Sequence, residues 1–177
     1  MAELSQAEIR ALLAKAQIHD ALMRYSRGVD RGDADLVMSV FHPEATLDMG
    51  RGPMSAATLA EGITKMTATG TMHFIGNEYV EVDGDTAYSE TYFISYATVT
   101  DTGTATSTGA GTSATRSRGG RYLDRFERRD GEWKIARRLL VDEWSRLDEL
   151  PAPMGPPPGR VGLRSKDDPV YTFREPA

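Results

Sequence analysis

The chain has no cysteine among its 177 residues. That excludes disulfides and thiolate chemistry and leaves His, Asp and Glu as the strong metal ligands. Histidine is also scarce: His19, His42 and His73 are the three present, and no His-x-His or His-x-x-x-His pair occurs. No metal site is therefore expected. A basic stripe is missing too. The formal net charge is −5 and the isoelectric point is near 5.3, which argues against a nucleic-acid footprint. Arg116, Arg118, Arg121, Arg125, Arg128 and Arg129 are locally dense, and they read as strand faces and hairpin ends. Long apolar runs are absent: nothing approaches the ~18 residues a membrane span needs. The opening Met-Ala-Glu-Leu-Ser-Gln has no basic segment leading into an apolar one, so a cytosolic protein is expected. No internal repeat is visible.

What is present suits one soluble domain: 40% hydrophobic and 27% charged residues can bury a core. From Ser5 to about Asp30, the residues Ile9, Leu12, Leu13, Ala16, Leu22, Tyr25 and Val29 recur at helical spacing. Ser5 with Glu8 forms a capping-box start, and the helix is expected to end between Gly28 and Gly32. Asp33-Ala34-Asp35 opens a second helix running through Phe41, with Pro43 as its stop. A brief strand at 45–49, a Gly-Pro turn at 50–53 and a third helix at 55–66 complete a helical first third. Then the character changes. Residues 73–82 and 86–100 are rich in β-branched and aromatic residues and are joined by Asp83-Gly84-Asp85, a hairpin signal. Residues 101–115, nearly all Thr, Gly, Ser and Ala, read as a long mobile loop or hairpin tip. A second strand pair, 118–128 and 132–144, turns at Arg129-Asp130-Gly131. Five prolines between 151 and 158 exclude helix or central strand, so the domain is read as 1–149 and the remainder, 150–177, as a Pro-rich extended tail. Helices followed by a meander of long strands predict an α+β fold, a curved antiparallel sheet wrapped around the N-terminal helices to leave a conical cavity.

The residues that carry chemistry stand at apolar places. His73, in Met72-His73-Phe74-Ile75, opens a strand among apolar neighbours. Its ring needs a hydrogen-bond partner once buried and titrates near neutrality, so it is either a satisfied core histidine or a base. Asp30 lies at a helix C-terminus, where the dipole disfavours a carboxylate and something must offset it. Either it orients His73, or it caps the next helix or pairs with Arg27 or Arg31 in solvent. Arg137 and Arg138 must face opposite sides of a strand. One of them can point into the cavity and hold an anionic leaving group or developing oxyanion, or both can serve as surface arginines.

Taken together, Tyr25-x4-Asp30, Asp33-Ala34-Asp35-Leu36 through Phe41-His42-Pro43-Glu44-Ala45, Met72-His73-Phe74-Ile75-Gly76-Asn77 and the run from Gly120 to Ile135 resemble the SnoaL-like branch of the nuclear-transport-factor-two-like superfamily. The resemblance spans roughly residues 5–146, and it implies the same cone of sheet on helices. It is closest to that superfamily's cofactor-independent lyases, dehydratases and a dehydrochlorinase. By resemblance, Asp30 and His73 form the catalytic dyad, Tyr25 is the hydrogen-bond or proton donor to the leaving oxygen, and Arg138 steadies negative charge. No counterpart of scytalone dehydratase's second histidine, or of ketosteroid isomerase's oxyanion hole, is evident. The implied activity is elimination of water, halide or another small fragment from an apolar, cyclic or aromatic small molecule. The alternatives are an isomerase or cyclase in the same pocket, or a non-catalytic ligand-binding or accessory subunit. The resemblance further implies a homo-oligomer, a trimer or alternatively a dimer. The C-terminal tail either covers the cavity mouth, packs on a neighbour or is a disordered terminus.

Overall fold

A computed structural model describes residues 3–66, 68, 70–100, 113–150 and 161–173. Helix α1 (Gln6–Arg31) starts as its sequence dictates: Ser5 Oγ accepts from the Glu8 N–H, and the Glu8 carboxylate accepts from the Ser5 N–H at 2.8 Å. It stops where Gly32 takes a left-handed conformation at φ 65°. One stripe, through Ala14, Ile18, Ala21, Leu22, Tyr25 and Val29, is buried. Each large apolar side chain on it contributes about 1.5–3 kcal/mol by leaving water.

Helix α2 (Ala34–Met38), N-capped by Asp33, is shorter than the spacing predicts, because Phe41 already begins strand β1 (Phe41–Asp48). The reason is Pro43, which has no N–H to give a helix and biases the residue before it toward extended backbone. Rather than stopping a helix, Phe41-His42-Pro43 lies inside a strand. His42 is buried there, with Nε2 3.0 Å from the Glu127 carbonyl, a structural role. Strand β2 (Pro53–Ser55) follows, then helix α3 (Ala56–Thr64) capped by Ser55.

The long strands are β3 (Gly70–Asp83), β4 (Thr86–Thr100), β5 (Ser113–Arg129) and β6 (Glu132–Leu150). They pair in the order β2-β1-β6-β5-β4-β3, with β1 parallel to β6 and all other pairs antiparallel. The β5–β6 turn uses Asp130 at φ 53° and Gly131 at φ 84°, two adjacent left-handed residues whose twist matches the strands they join. Most of the 101–115 loop of the sequence reading lies outside the described residues. The expected α+β cone is present, its sheet curved by bulges and left unclosed between β2 and β3. The concave face carries Phe93, Tyr122, Phe126, Ile135 and Leu140 into the same core as the α1 stripe.

One bulge decides which arginine of the Arg137-Arg138 pair turns inward. Arg125 pairs with Arg137 but Phe126 pairs with Ile135, so Ala136 is an extra residue on β6. Trp133 and Ile135 face the core before it, and Arg138 and Leu140 after it. Side chains alternate with period two, so without the bulge Arg137 would be the buried one.

The proline stretch 151–160 lies outside the described residues, but 161–173 is not uniformly extended. Asp168 caps a turn of helix, α4 (Pro169–Thr172). Arg164 inserts where two helices end: its Nη2 donates to the carbonyls of Val29 (3.0 Å) and Ile63 (3.2 Å), and its Nη1 to that of Met66 (3.4 Å). Arg31 and Asp168 meet at 3.5 Å, and Lys166 pairs with Asp33. This strap thus docks on the end of α1 that carries Asp30. Among the described residues, no helix is long and apolar enough to cross a membrane.

Candidate active site

Asp30 sits in the last turn of α1, 8% exposed. The cost of a carboxylate at that helix end is offset from strand β3. Asp30 Oδ2 accepts the backbone N–H of His73 at 2.9 Å, and Oδ1 lies 2.7 Å from His73 Nδ1. A carboxylate oxygen accepts, so the contact favours a ring hydrogen on Nδ1, and in the neutral form of such an imidazole the lone pair is on Nε2. Two bonds from one carboxylate, to the main chain and to the ring of the same residue, fix both the position and the tautomer of the imidazole. Thr71, two residues earlier, lies 3.4 Å from the Asp30 carbonyl through its hydroxyl.

His73 lines a cavity of about 600 Å³ between the helices and the concave sheet. Its walls are largely apolar: Val29, Met54, Leu59, Ile63, Phe93 and Leu140. Tyr25, five residues before Asp30 on α1, and Tyr122 on β5 also line it. Their rings meet edge to face at 5.6 Å, and Phe93 stacks on Tyr122 at 4.4 Å. Burial raises the proton affinity of both hydroxyls against the pull of the Arg138 cation, Tyr122 more strongly. Tyr25 therefore stays a neutral donor across ordinary pH.

Of the residues singled out in the sequence, His73 and Tyr25 line this cavity, and Asp30 stands behind His73 without lining it. Arg138 does not line it. The guanidinium is 1% exposed and stacks on Tyr25 at 4.1 Å and Tyr122 at 4.3 Å. It makes a two-pronged pair with Asp124, 2.7 Å for each bond. Burial works against its charge, but the Asp124 carboxylate more than offsets this and holds the proton more firmly than usual. Arg138 thus lies behind the tyrosines as a support. His19 instead pairs with Glu78 near the surface at 2.7 Å.

Sequence reasoning missed a set of cations. Arg51, Lys65, Arg116 and Arg118 all line the cavity. Arg116 and Arg118 share the parity of Tyr122, Asp124 and Phe126 on one strand, the signal that would have turned them inward. Arg118 pairs two-pronged with Asp142, its Nη2 bond 2.6 Å long. That contact raises the proton affinity of Arg118 and lowers that of Asp142.

Residues 10–139 match the family model for the SnoaL-like domain. No curated protein matches the chain significantly in sequence. Among solved structures, a type 2 hexachlorocyclohexane dehydrochlorinase superposes with a TM-score of 0.67 at 21% identity, covering 85% of this chain and 98% of its own. A candidate scytalone dehydratase from Novosphingobium aromaticivorans gives 0.63 at 18% identity, covering 85% and 97%. A nuclear-transport-factor-two-like protein with a cystatin-like fold from the same organism gives 0.62 at 24% identity, covering 77% and 86%. At these identities the likeness is one of fold.

Proposed function

The chain belongs to the SnoaL-like domain family, and from that premise we propose that it is a cofactor-independent lyase acting on a small, largely apolar cyclic or aromatic molecule. The observation that carries this reading is the carboxylate of Asp30 engaging both the N–H and the ring of His73 at the wall of an apolar cavity. In the proposed step, His73 Nε2 removes a proton from the carbon next to the one bearing the leaving group. The C–H electron pair forms the new double bond, and the leaving group departs with its own bonding pair. Asp30 stabilises the imidazolium formed. Tyr25 donates its hydroxyl hydrogen to a departing oxygen, which makes the fragment leave as a neutral molecule. Arg138 steadies the negative charge that develops on Tyr25 through the ring face it covers. The solved dehydrochlorinase and candidate dehydratase of the same fold are consistent with elimination chemistry.

The proposed assembly is a homo-oligomer, with a trimer favoured. The outer sheet face, where Phe74, Tyr79, Tyr92, Ile94 and Trp144 are exposed, supports it.

The test is a mass-resolved screen of pocket-sized hydroxylated and halogenated cyclic compounds, followed by His73→Ala and Asp30→Asn. A positioned base contributes about 10²- to 10⁴-fold to the rate, so both variants should lose activity on that scale. Wild-type turnover in both would end the dyad mechanism. A product of unchanged mass, with the same sensitivity to His73, would assign isomerase chemistry instead.

A further inference from the structure

Four cationic side chains line the cavity and, among the described residues, no carboxylate does, in a chain of net charge −5. They come from three separate elements: Arg51 from the β1–β2 turn, Lys65 from the end of α3, Arg116 and Arg118 from the inward face of β5. Convergence from distant positions against the overall charge is not what a solvated surface produces by chance.

Arg51 is also held in place by its own turn. The Asp48 carboxylate accepts from the N–H groups of both Gly50 (2.9 Å) and Gly52 (3.2 Å), and both glycines adopt positive φ, 83° and 90°. That conformation strains any other residue. The turn lies against the Arg118–Asp142 pair, since a Cβ on Gly50 would stand 3.8 Å from Asp142 Oδ2 and 3.9 Å from Arg118 Nη2. Asp142 neutralises part of the Arg118 charge, and Lys65 meets Glu61 at 3.5 Å on the exposed side of α3. Like charges gathered beside one cavity repel one another, and an anion bound among them relieves that cost.

Resting on the reading of this cavity as the substrate site, we infer that the substrate is a carboxylate. Its apolar ring packs against Val29, Leu59, Ile63, Phe93 and Leu140 beside His73, and its carboxylate lies among Arg51, Arg116 and Arg118. Guanidinium groups suit this role because their planar donors match the two oxygens of a carboxylate. The residues that bind the anion are separate from the dyad, so the two ends of the molecule are recognised by different chemistry: burial at one and charge at the other.

Binding of 2-naphthoate and of its neutral counterpart 2-naphthamide, measured by isothermal titration calorimetry on the full chain, tests this without turnover. Naphthoate should bind roughly tenfold more tightly at low ionic strength, the scale a few half-exposed charge contacts supply. The preference should shrink as salt is added. It should fall toward unity in Arg51→Ala/Arg116→Ala, whose exposed positions make folding robust and whose circular dichroism reports it. It should be reduced but not lost in Arg51→Lys/Arg116→Lys, which keeps the two charges and removes the planar donors. Naphthamide binding as tightly as naphthoate, an undiminished preference in the double alanine variant, or no naphthoate binding would each overturn the inference. His73→Ala should keep the preference, which separates failure of the substrate assignment from failure of the lyase mechanism.

Discussion

Asp124 and Arg138 are each 1% exposed and joined by two 2.7 Å bonds, which makes the consequence of separating them calculable. Asp124→Leu would strand a guanidinium whose Nη1 already has no hydrogen-bond partner among the described residues. Arg138→Met would strand a carboxylate. Breaking one side of such a buried pair costs about 3–5 kcal/mol, a large part of the about 5–15 kcal/mol that holds a domain folded. For a chain of this length, that lowers the melting temperature by about 6–20 °C. The double variant removes both charges together. It forfeits the stacking of Arg138 on Tyr25, Tyr122 and Phe41, at 4.1, 4.3 and 5.6 Å, a loss of about 0.5–2 kcal/mol. It should therefore be more stable than either single variant, with a coupling energy of at least ~2 kcal/mol in a double-mutant cycle. Urea denaturation at neutral pH, with matched slopes for all four proteins, is the assay. Additive losses, leaving the double variant as unstable as the sum of the singles, would refute the view that Arg138 and Asp124 act as one buried unit under the tyrosines.

Two further predictions concern the strap at 161–173. Arg164→Ala removes the donors that meet the terminal carbonyls of α1 and α3, and a loss of about 1–3 kcal/mol is expected. Hydrogen exchange should accelerate first in the last turns of those two helices, and unchanged protection there would count against the strap as a helix clamp. Asp168 accepts from the Leu163 and Val170 N–H groups, and the Leu163 bond in particular holds its carboxyl below the usual carboxylate range. A depressed folded value means that the native state binds the proton less readily than the unfolded chain. The stabilisation is therefore present above about pH 4 and is lost as pH falls through the lower folded value. Amide shifts of Val170 and Tyr171 followed by NMR should report release of the strap in that acid window, and an identical response in Asp168→Asn would sink the assignment to this carboxyl.

Features fixed by nearest neighbours were readable from the residues alone. The Ser5–Glu8 box, the Asp33 cap and the Asp130-Gly131 turn each depend on a few adjacent side chains, and each is where the sequence places it. Asp30 was conspicuous because a carboxylate at a helix C-terminus needs compensation, and the compensation comes from a residue 43 positions away. What local patterns do not carry is strand phase. The inward turn of Arg138 depends on a bulge at Ala136, which only pairing with β5 defines. The early strand start at Phe41 depends on the Ile135 N–H meeting the Val40 carbonyl at 2.8 Å. Arg116 and Arg118 read from the sequence only as parts of strand faces or hairpin ends, and their inward turn emerges from the β5 register that gives them the parity of Tyr122. The contacts of Arg164 join segments 98 to 135 residues apart, beyond any periodicity.

The extra residue at Ala136 has a consequence for how this chain tolerates changes of length. Between Glu132 and Asp142, strand β6 behaves like two rulers with a spacer between them, one setting Trp133 and Ile135, the other Arg138, Leu140 and Asp142. Deleting Ala136 would remove the spacer and leave both sets facing the way they already do, because Trp133, Ile135, Arg138 and Leu140 would then fall at every second position. Adding a residue there has no such outcome: it demands a wider bulge, or one of the two sets turns inside out. This joint therefore accepts a loss of length more readily than a gain.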